Sequence, residues 1–202
     1  MTRIFSCLKL GGKLMSTTNL ILAQHNTFLT EHLFLRKLKL EDATEMNAFT
    51  SDPEVARYTS WLPHESLEET QRIIANLFLP NQLHHWGIVE KKSHTLIGVI
   101  SLSLHHPHLA EFGWMLHRNY WGKGYMAEAA IPLLQLCFED LALDVVQAKH
   151  LSENQKSGRV MEKIGMRNMG HVFVWFPKFE KARSADYWAL SAEDYFRQKQ
   201  IT

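Results

Sequence analysis

Residues 119–129, Asn-Tyr-Trp-Gly-Lys-Gly-Tyr-Met-Ala-Glu-Ala, constrain the fold of this 202-residue chain more than any other stretch. Gly122 and Gly124 flank a single residue and stand directly ahead of Met126, Ala129, Ala130, Leu133, Leu134, Cys137 and Leu141, which mark one face of a helix. Glycines in those places let the backbone turn so that several N–H groups and the positive helix end converge on one spot. Such a spot suits an anion, most naturally a pyrophosphate, and Lys123 adds a charge within reach of a phosphate. The plainer reading is a tight helix entry that the glycines merely permit. Pro132 lies inside the helix, removes one backbone bond, and predicts a bend or opened turn near Glu128.

Two known phosphate signatures fit this segment poorly. Gly122-x-Gly124-x-x-Ala127 satisfies the dinucleotide fingerprint, but in that fold the first glycine follows a strand almost immediately and an acid ends the next strand. Here the preceding strand ends near Leu116, and Asp144 begins the next strand. The P-loop pattern fails because Gly124, and not Ser or Thr, follows Lys123.

The surrounding chain alternates between strand and helix periodicity. Leu33–Leu38 reads as a short strand, followed by the acidic helix opening Leu40-Glu41-Asp42-Ala43. Ser66-Leu67-Glu68-Glu69 has the form of a capping box, with Ile73, Ile74, Leu77 and Phe78 at helical spacing before Pro80. Trp86–Glu90, Thr95–Leu104 and Ala110–Leu116 form a predicted antiparallel meander, joined by Lys91-Lys92-Ser93-His94 and the turn at His105–Leu109. After the glycine-bounded helix come a strand at Val145–Leu151, a helix entered at Ser152–Gln155, strands at Val172–Phe176 and Tyr187–Leu190, and a polar tail. The order βααβββαβαββ predicts an α/β fold with a mixed, mostly antiparallel central sheet and flanking helices.

Composition excludes several function classes. Lys+Arg number 22 against 21 Asp+Glu, so there is no global basic excess of the kind that binds nucleic acid or anionic membranes, although a local basic site is compatible. Cys7 and Cys137 form neither a metal-ligand spacing nor a disulfide framework, and a reducing cytoplasm is expected. No apolar run reaches the roughly 18 residues of a spanning helix, and Met1–Ser16 is too broken by polar residues and glycines for a signal peptide. Gly11-Gly12-Lys13 can be encoded by a ribosome-binding sequence ahead of Met15, so residues 1–14 are a candidate start-site artefact. Residues 1–29 are expected as an N-terminal extension and 30–202 as the folded domain. Histidine is enriched, with 12 residues, but the cluster His105, His106 and His108 is poorly spaced for a metal and no metal is expected. It offers substrate contact, with His106 as the candidate, or pH sensitivity near neutrality.

From about Leu33 to Leu190 the chain resembles the GNAT superfamily of acetyl-CoA-dependent N-acetyltransferases, and more narrowly its ribosomal-protein N-terminal (Rim-type) branch. The resemblance rests on Leu33-Phe34-Leu35-Arg36 with Glu41-Asp42-Ala43; Asp52-Pro53-Glu54-Val55 with Tyr58; and Ile97-Gly98. It continues through Ala110–Leu116, Tyr120–Tyr125 with Glu128-Ala129, and Asn154–Ser157 leading to Glu162–Met166. Asn119 departs from the broader superfamily pattern, which has Arg or Gln there.

The resemblance implies a GNAT fold that takes acetyl-CoA as co-substrate, with Trp114, Met115 and Leu116 offering backbone groups to its pantetheine arm. It implies that Gly122, Lys123, Gly124, Tyr125 and Met126 cradle the pyrophosphate. Asn154 would bond the pantetheine or acyl region, beside its ordinary alternative of capping a helix, and Ser157 would protonate the departing thiolate. An amine attacks the thioester only when neutral. At pH 7 that costs a lysine-like amine about 4.6 kcal/mol but an α-amino group only about 1 kcal/mol. A protein N-terminus, the leading acceptor, therefore needs only a weak base. Glu111 is the first candidate base; Glu69 borders the acceptor side but also serves the capping box. Small amines (polyamine, amino acid or antibiotic) and a catalytically silent CoA-binding module are the alternatives. The expected assembly is a monomer or homodimer with no nucleic-acid or membrane partner.

Overall fold

The computed structural model describes residues 17–201. Cys7, the candidate start at Met15 and the first fourteen residues lie outside the described residues. Helix α1 (17–24) leads into β1 (Thr27–Leu29) and β2 (Leu33–Arg36). A 3₁₀ turn then opens α2 (Ala43–Thr50), followed by α3 (Pro53–Ala56) and α4 (Leu67–Ile73), which ends in a wide turn at Ile74–Phe78. The meander is β3 (His85–Glu90), β4 (Thr95–His106) and β5 (Leu109–Leu116). After α5 (Tyr125–Gln135) come β6 (Val145–Leu151), α6 (Gln155–Lys163), β7 (Arg167–Phe176), β8 (Lys181–Ser191) and α7 (Ala192–Ile201).

The order expected between Leu33 and Leu190 is present in a mixed α/β fold, with the four-residue α3 added. All eight strands form one sheet in the order β1-β2-β3-β4-β5-β6-β8-β7, and every pairing is antiparallel except β5 with β6. Strand alternation sends Ile88, Ile100, Phe112 and Val146 to one face, where Ala129, Leu133, Met161 and Ile164 of α5 and α6 and the residue after α6 cover them. Val89 and Val99 meet Met46, Phe49 and Ile74 of the α2–α4 layer on the other face. Each fully buried apolar side chain of this kind contributes about 1.5–3 kcal/mol.

Local signals explain where the helices start. Ser66 Oγ accepts from Glu69 N at 3.1 Å to begin α4, and Asp52 accepts from Glu54 N at 2.9 Å with Pro53 in the first turn of α3. The paired motif Arg36 and Asp42 is a clamp: the guanidinium donates to both carboxylate oxygens, at 2.7 and 2.6 Å, and Asp42 also accepts from Lys39 N. At Gly98 the strands come so close that a Cβ would stand 2.5 Å from the Met115 carbonyl oxygen, so β4 tolerates no side chain against the end of β5.

Several boundaries differ from the sequence expectation. The closing strands are about twice as long as their apolar runs, and the tail beyond Ser191 is a helix. The α geometry of α5 continues through Glu128 and Pro132, and the wider turn follows at Leu136–Asp140. Before residue 30, Leu22 of α1 is fully buried in the main core, Trp86 donates its indole N–H to His25 O at 2.8 Å, and β1 pairs with β2.

Candidate active site

The parallel pair β5–β6 is hydrogen-bonded only from Leu109–Val145 to Phe112–Ala148. Beyond that rung β5 continues as Gly113–Leu116 and β6 as Lys149–Leu151, without pairing to each other. Each arm keeps its outer neighbour: Gly113–Leu116 pairs with Ser101–Gly98 of β4, and Lys149–Leu151 with Tyr187–Ala185 of β8. The sheet is thus split in its middle. Because backbone groups alternate sides along a strand, those of Trp114 and Leu116 face the gap, while the Met115 carbonyl and the His117 N–H are turned to β4. An extended chain can add to such an edge as a strand does.

The glycine loop stands directly beyond the end of β5. Gly122 has φ +78° and Gly124 φ +84°, and nothing lies within 4 Å of where a Cβ would sit on either. The requirement for glycine is conformational, since L side chains rarely adopt that region. Gly124 is the N-cap of α5, so the first N–H groups of that helix open into unfilled space. Trp121 ties the loop to the split by donating its indole N–H to Leu116 O at 2.8 Å. Across the gap, the Lys156 ammonium of α6 sits 4.0 Å from the centre of the same indole ring. Lys123 lies over Tyr120 at 4.7 Å, and Met126 is buried beneath. The open edge, the two uncluttered glycines and the helix entry together fit a thioester cofactor with an extended arm and a pyrophosphate.

The first turn of α5 is held by a residue whose role the sequence did not disclose. Glu128 accepts from Thr30 Oγ1 at 2.5 Å, from His32 N at 2.7 Å and from His32 Nδ1 at 3.0 Å. Burial disfavours its charge, but these donors outweigh burial and hold the carboxyl below its ordinary range. A depressed carboxyl stabilises the fold above its unfolded pKa and loses that contribution as pH falls through the folded value. Glu128→Gln is therefore expected to lower stability by about 1–3 kcal/mol near neutrality and to flatten the acid limb of a Tm-against-pH series. An unchanged acid limb would remove this role.

Asn154 is the N-cap of α6, and its side chain accepts from Ser157 N at 3.4 Å. Its amide also donates to Ser157 Oγ at 2.9 Å, so the serine oxygen is used as acceptor and its own proton is free to point elsewhere. His150 of β6, which the sequence did not single out, is buried behind this turn. Trp188 donates to its Nε2 at 3.1 Å, its Nδ1 pairs with Leu151 O at 2.8 Å, and a Cβ on Gly158 would sit 3.0 Å from its Nε2. The imidazole thus sets how closely α6 approaches the sheet. A histidine inside an apolar strand was its sequence signal.

Glu111 stands one rung before the split opens, opposite Gln147. Its Oε2 accepts from Gln147 Nε2 at 2.6 Å and lies 3.0 Å from Lys149 Nζ and 3.5 Å from His105 Nε2. Tyr187 OH donates to Gln147 Oε1 at 2.7 Å, extending the network across β8. It is His105 that reaches Glu111, while His106 is exposed at the hairpin turn on the closed end of the strand pair. Glu69 accepts from Glu65 N at 2.6 Å and so spends its carboxylate on the start of α4. Among the described residues no group of three His, Cys, Asp or Glu side chains is arranged to hold a metal, and no helix is long and apolar enough to cross a membrane.

Comparison with known proteins agrees with this geometry. Residues 32–167 match the family model described as acetyltransferase (GNAT) domain. The chain is 32% identical over 149 residues to a protein of Bacillus licheniformis described as uncharacterized N-acetyltransferase p20, covering 71% of this chain and 84% of that one. It is 29% identical over 168 residues to uncharacterized N-acetyltransferase YnaD of Bacillus subtilis, covering 82% and 97%. A crystal structure of a GNAT-family acetyltransferase from Bacillus anthracis superposes with a TM-score of 0.74 at 27% identity, covering 83% of this chain and 99% of that one.

Proposed function

The chain belongs to the GNAT acetyltransferase family, and from that premise we propose that it moves the acetyl group of acetyl-CoA to a protein N-terminal α-amine by direct attack. The observation that carries this reading is the gap between β5 and β6 standing over the glycine-bounded entry of α5. Acetyl-CoA supplies the activated acetyl thioester. In this reading the backbone edge of Trp114 and Leu116 holds the pantetheine arm, with Met115 between them bonded to β4, and Gly122–Met126 take the pyrophosphate with Lys123 beside it. Glu111, at the apex of the split, accepts the proton that the attacking amine loses. Ser157, its oxygen held by Asn154, hydrogen-bonds the departing thiolate and relays it a proton that solvent water replaces. The catalytic unit runs from residue 30 onward with 17–29 packed upon it, working in the cytoplasm.

The α-amine is favoured because it loses its proton at pH 7 at a cost of about 1 kcal/mol, against about 4.6 kcal/mol for a lysine-like amine, so a single carboxylate within reach suffices. The test is thiol release from acetyl-CoA across unmodified peptides, lysine side-chain amines, polyamines and amino acids, with mass shift reporting the acetylated site. Acetylation of peptide N-termini is the expected result. Preference for a free small amine would replace the acceptor, and tight CoA binding without amine-dependent release would make the chain a binding module.

A further inference from the structure

A cavity of about 300 Å³ lies between α3, the end of β6 and the β7–β8 turn, and none of the roles above uses it. It borders the mouth of the split. Leu151 and Glu153 line it from the end of the β6 arm, and Pro53, Glu54, Arg57 and Tyr58 line it from α3 and its exit. The β5 side is bound to the same α3, because Arg118 Nε, two residues past β5, stands 3.2 Å from the capping carboxylate of Asp52. The cavity thus lies at the open end of the gap, on the side where α3 is tied to the exit of β5, and an acceptor entering from α3 would meet it before reaching the reacting end.

The charges in its wall are unevenly satisfied. Both acids already have partners: Glu153 is 2.6 Å from Arg183, and Glu54 is 3.7 Å from Arg57. Lys178, the third cation, donates to Ala56 O at 2.6 Å and pairs with no carboxylate among the described residues. The aromatic walls are taken as well. Phe179 carries Arg183 at 4.8 Å and Lys178 at 4.9 Å, and Tyr58 carries Arg57 at 5.3 Å. An acceptor bringing a second ammonium would meet acids and rings that each already carry a cation. The wall holds three cations against two acids, so a carboxylate would meet the ammonium of Lys178 and, beside it, the exposed fork of Arg57, which stands 3.7 Å from Glu54.

We propose that the acceptor carries a carboxylate a few bonds from its reacting amine, recognised by Arg57 and Lys178. This rests on the α-amine reading above and narrows it to N-termini with an acidic residue in their first positions. The same chemistry has a second source, the α-carboxylate of a free amino acid.

The experiment compares kcat/KM for matched peptides beginning Ala-Asp and Ala-Asn, free alanine and spermidine, in the wild type and in Arg57→Gln and Lys178→Gln. The wild type should prefer the acidic peptide by about tenfold, the scale of one charge-assisted contact, and the preference should shrink in both variants through KM. If Lys178→Gln does not fold, Arg57→Gln decides, since Arg57 is solvent-exposed. Equal rates on the two peptides in the wild type would overturn this inference and leave the α-amine reading intact. A preference that survives both variants would overturn the assignment to these residues. Free alanine matching the acidic peptide would keep the carboxylate and replace the protein N-terminus, whereas spermidine as best substrate would overturn both. No turnover with any amine would sink the enzymatic reading, and this inference with it.

Discussion

Gly124→Val is expected to weaken CoA binding by roughly a hundredfold or more. The residue sits at φ +84° as the cap of α5. A left-handed backbone costs an L residue roughly 1–2 kcal/mol, and more for a β-branched one. Relieving that strain rotates the peptide groups that open toward the proposed pyrophosphate site, and each lost charge-assisted contact costs a further 1.5–3 kcal/mol or so. Apart from its own neighbours along the chain, nothing lies within 4 Å of the missing Cβ, so the effect is conformational. Calorimetric titration with CoA, alongside a thermal melt of the free protein, separates lost affinity from lost fold. An unaltered Kd in a folded variant would remove the pyrophosphate from this loop.

Glu111→Gln should lower kcat/KM by about 10²–10⁴ at acidic pH, the usual range for a missing proton acceptor. The deficit should shrink as pH rises past the α-amine's reference value near 7.8, where the nucleophile is already neutral. Glutamine keeps an oxygen for Gln147, and the ion pair with Lys149 is partly solvated and worth about 1 kcal/mol or less, so the sheet should persist. A ratio of wild-type to variant rate that stays flat across the pH range would hand the proton to another group, with His105, 3.5 Å from the Glu111 carboxylate, the next candidate.

Elements that bury an apolar face were legible in the sequence; elements held by their neighbours were not. The meander and α5 were recognised because Ile88, Ile100, Phe112, Ala129 and Leu133 repeat at the period of their element. The first half of β8, Lys181-Ala-Arg-Ser, offers no apolar alternation, and its extended form comes from pairing with β7. Helix α7 reads as a polar tail because only Ala192 and Tyr195 touch the core. It is held instead by its Ser191 cap, by Tyr195 stacked 4.7 Å from Phe138, and by Lys199 against Glu139. The same limit applies at the site. The loop from Gly122 to Met126 carries its geometry in its residue types, whereas the end of the β5–β6 pairing after Phe112 follows from how each strand is claimed by its outer neighbour. The basic cavity at α3 is assembled from residues as far apart as Pro53 and Arg183 and left no local pattern to read.

The split also has a mechanical meaning. Strands β1–β5 make one plate and β6–β8 another, each braced along its own length, and four rungs from Leu109 to Phe112 are the direct strand pairing between them, over one shared core. An extended arm lying in the slot would work like a spline in a joint, bonding along the open edge of one plate while it fills the gap to the other. The ligand would then be part of the framework that grips it, completing the sheet where the chain itself leaves it open.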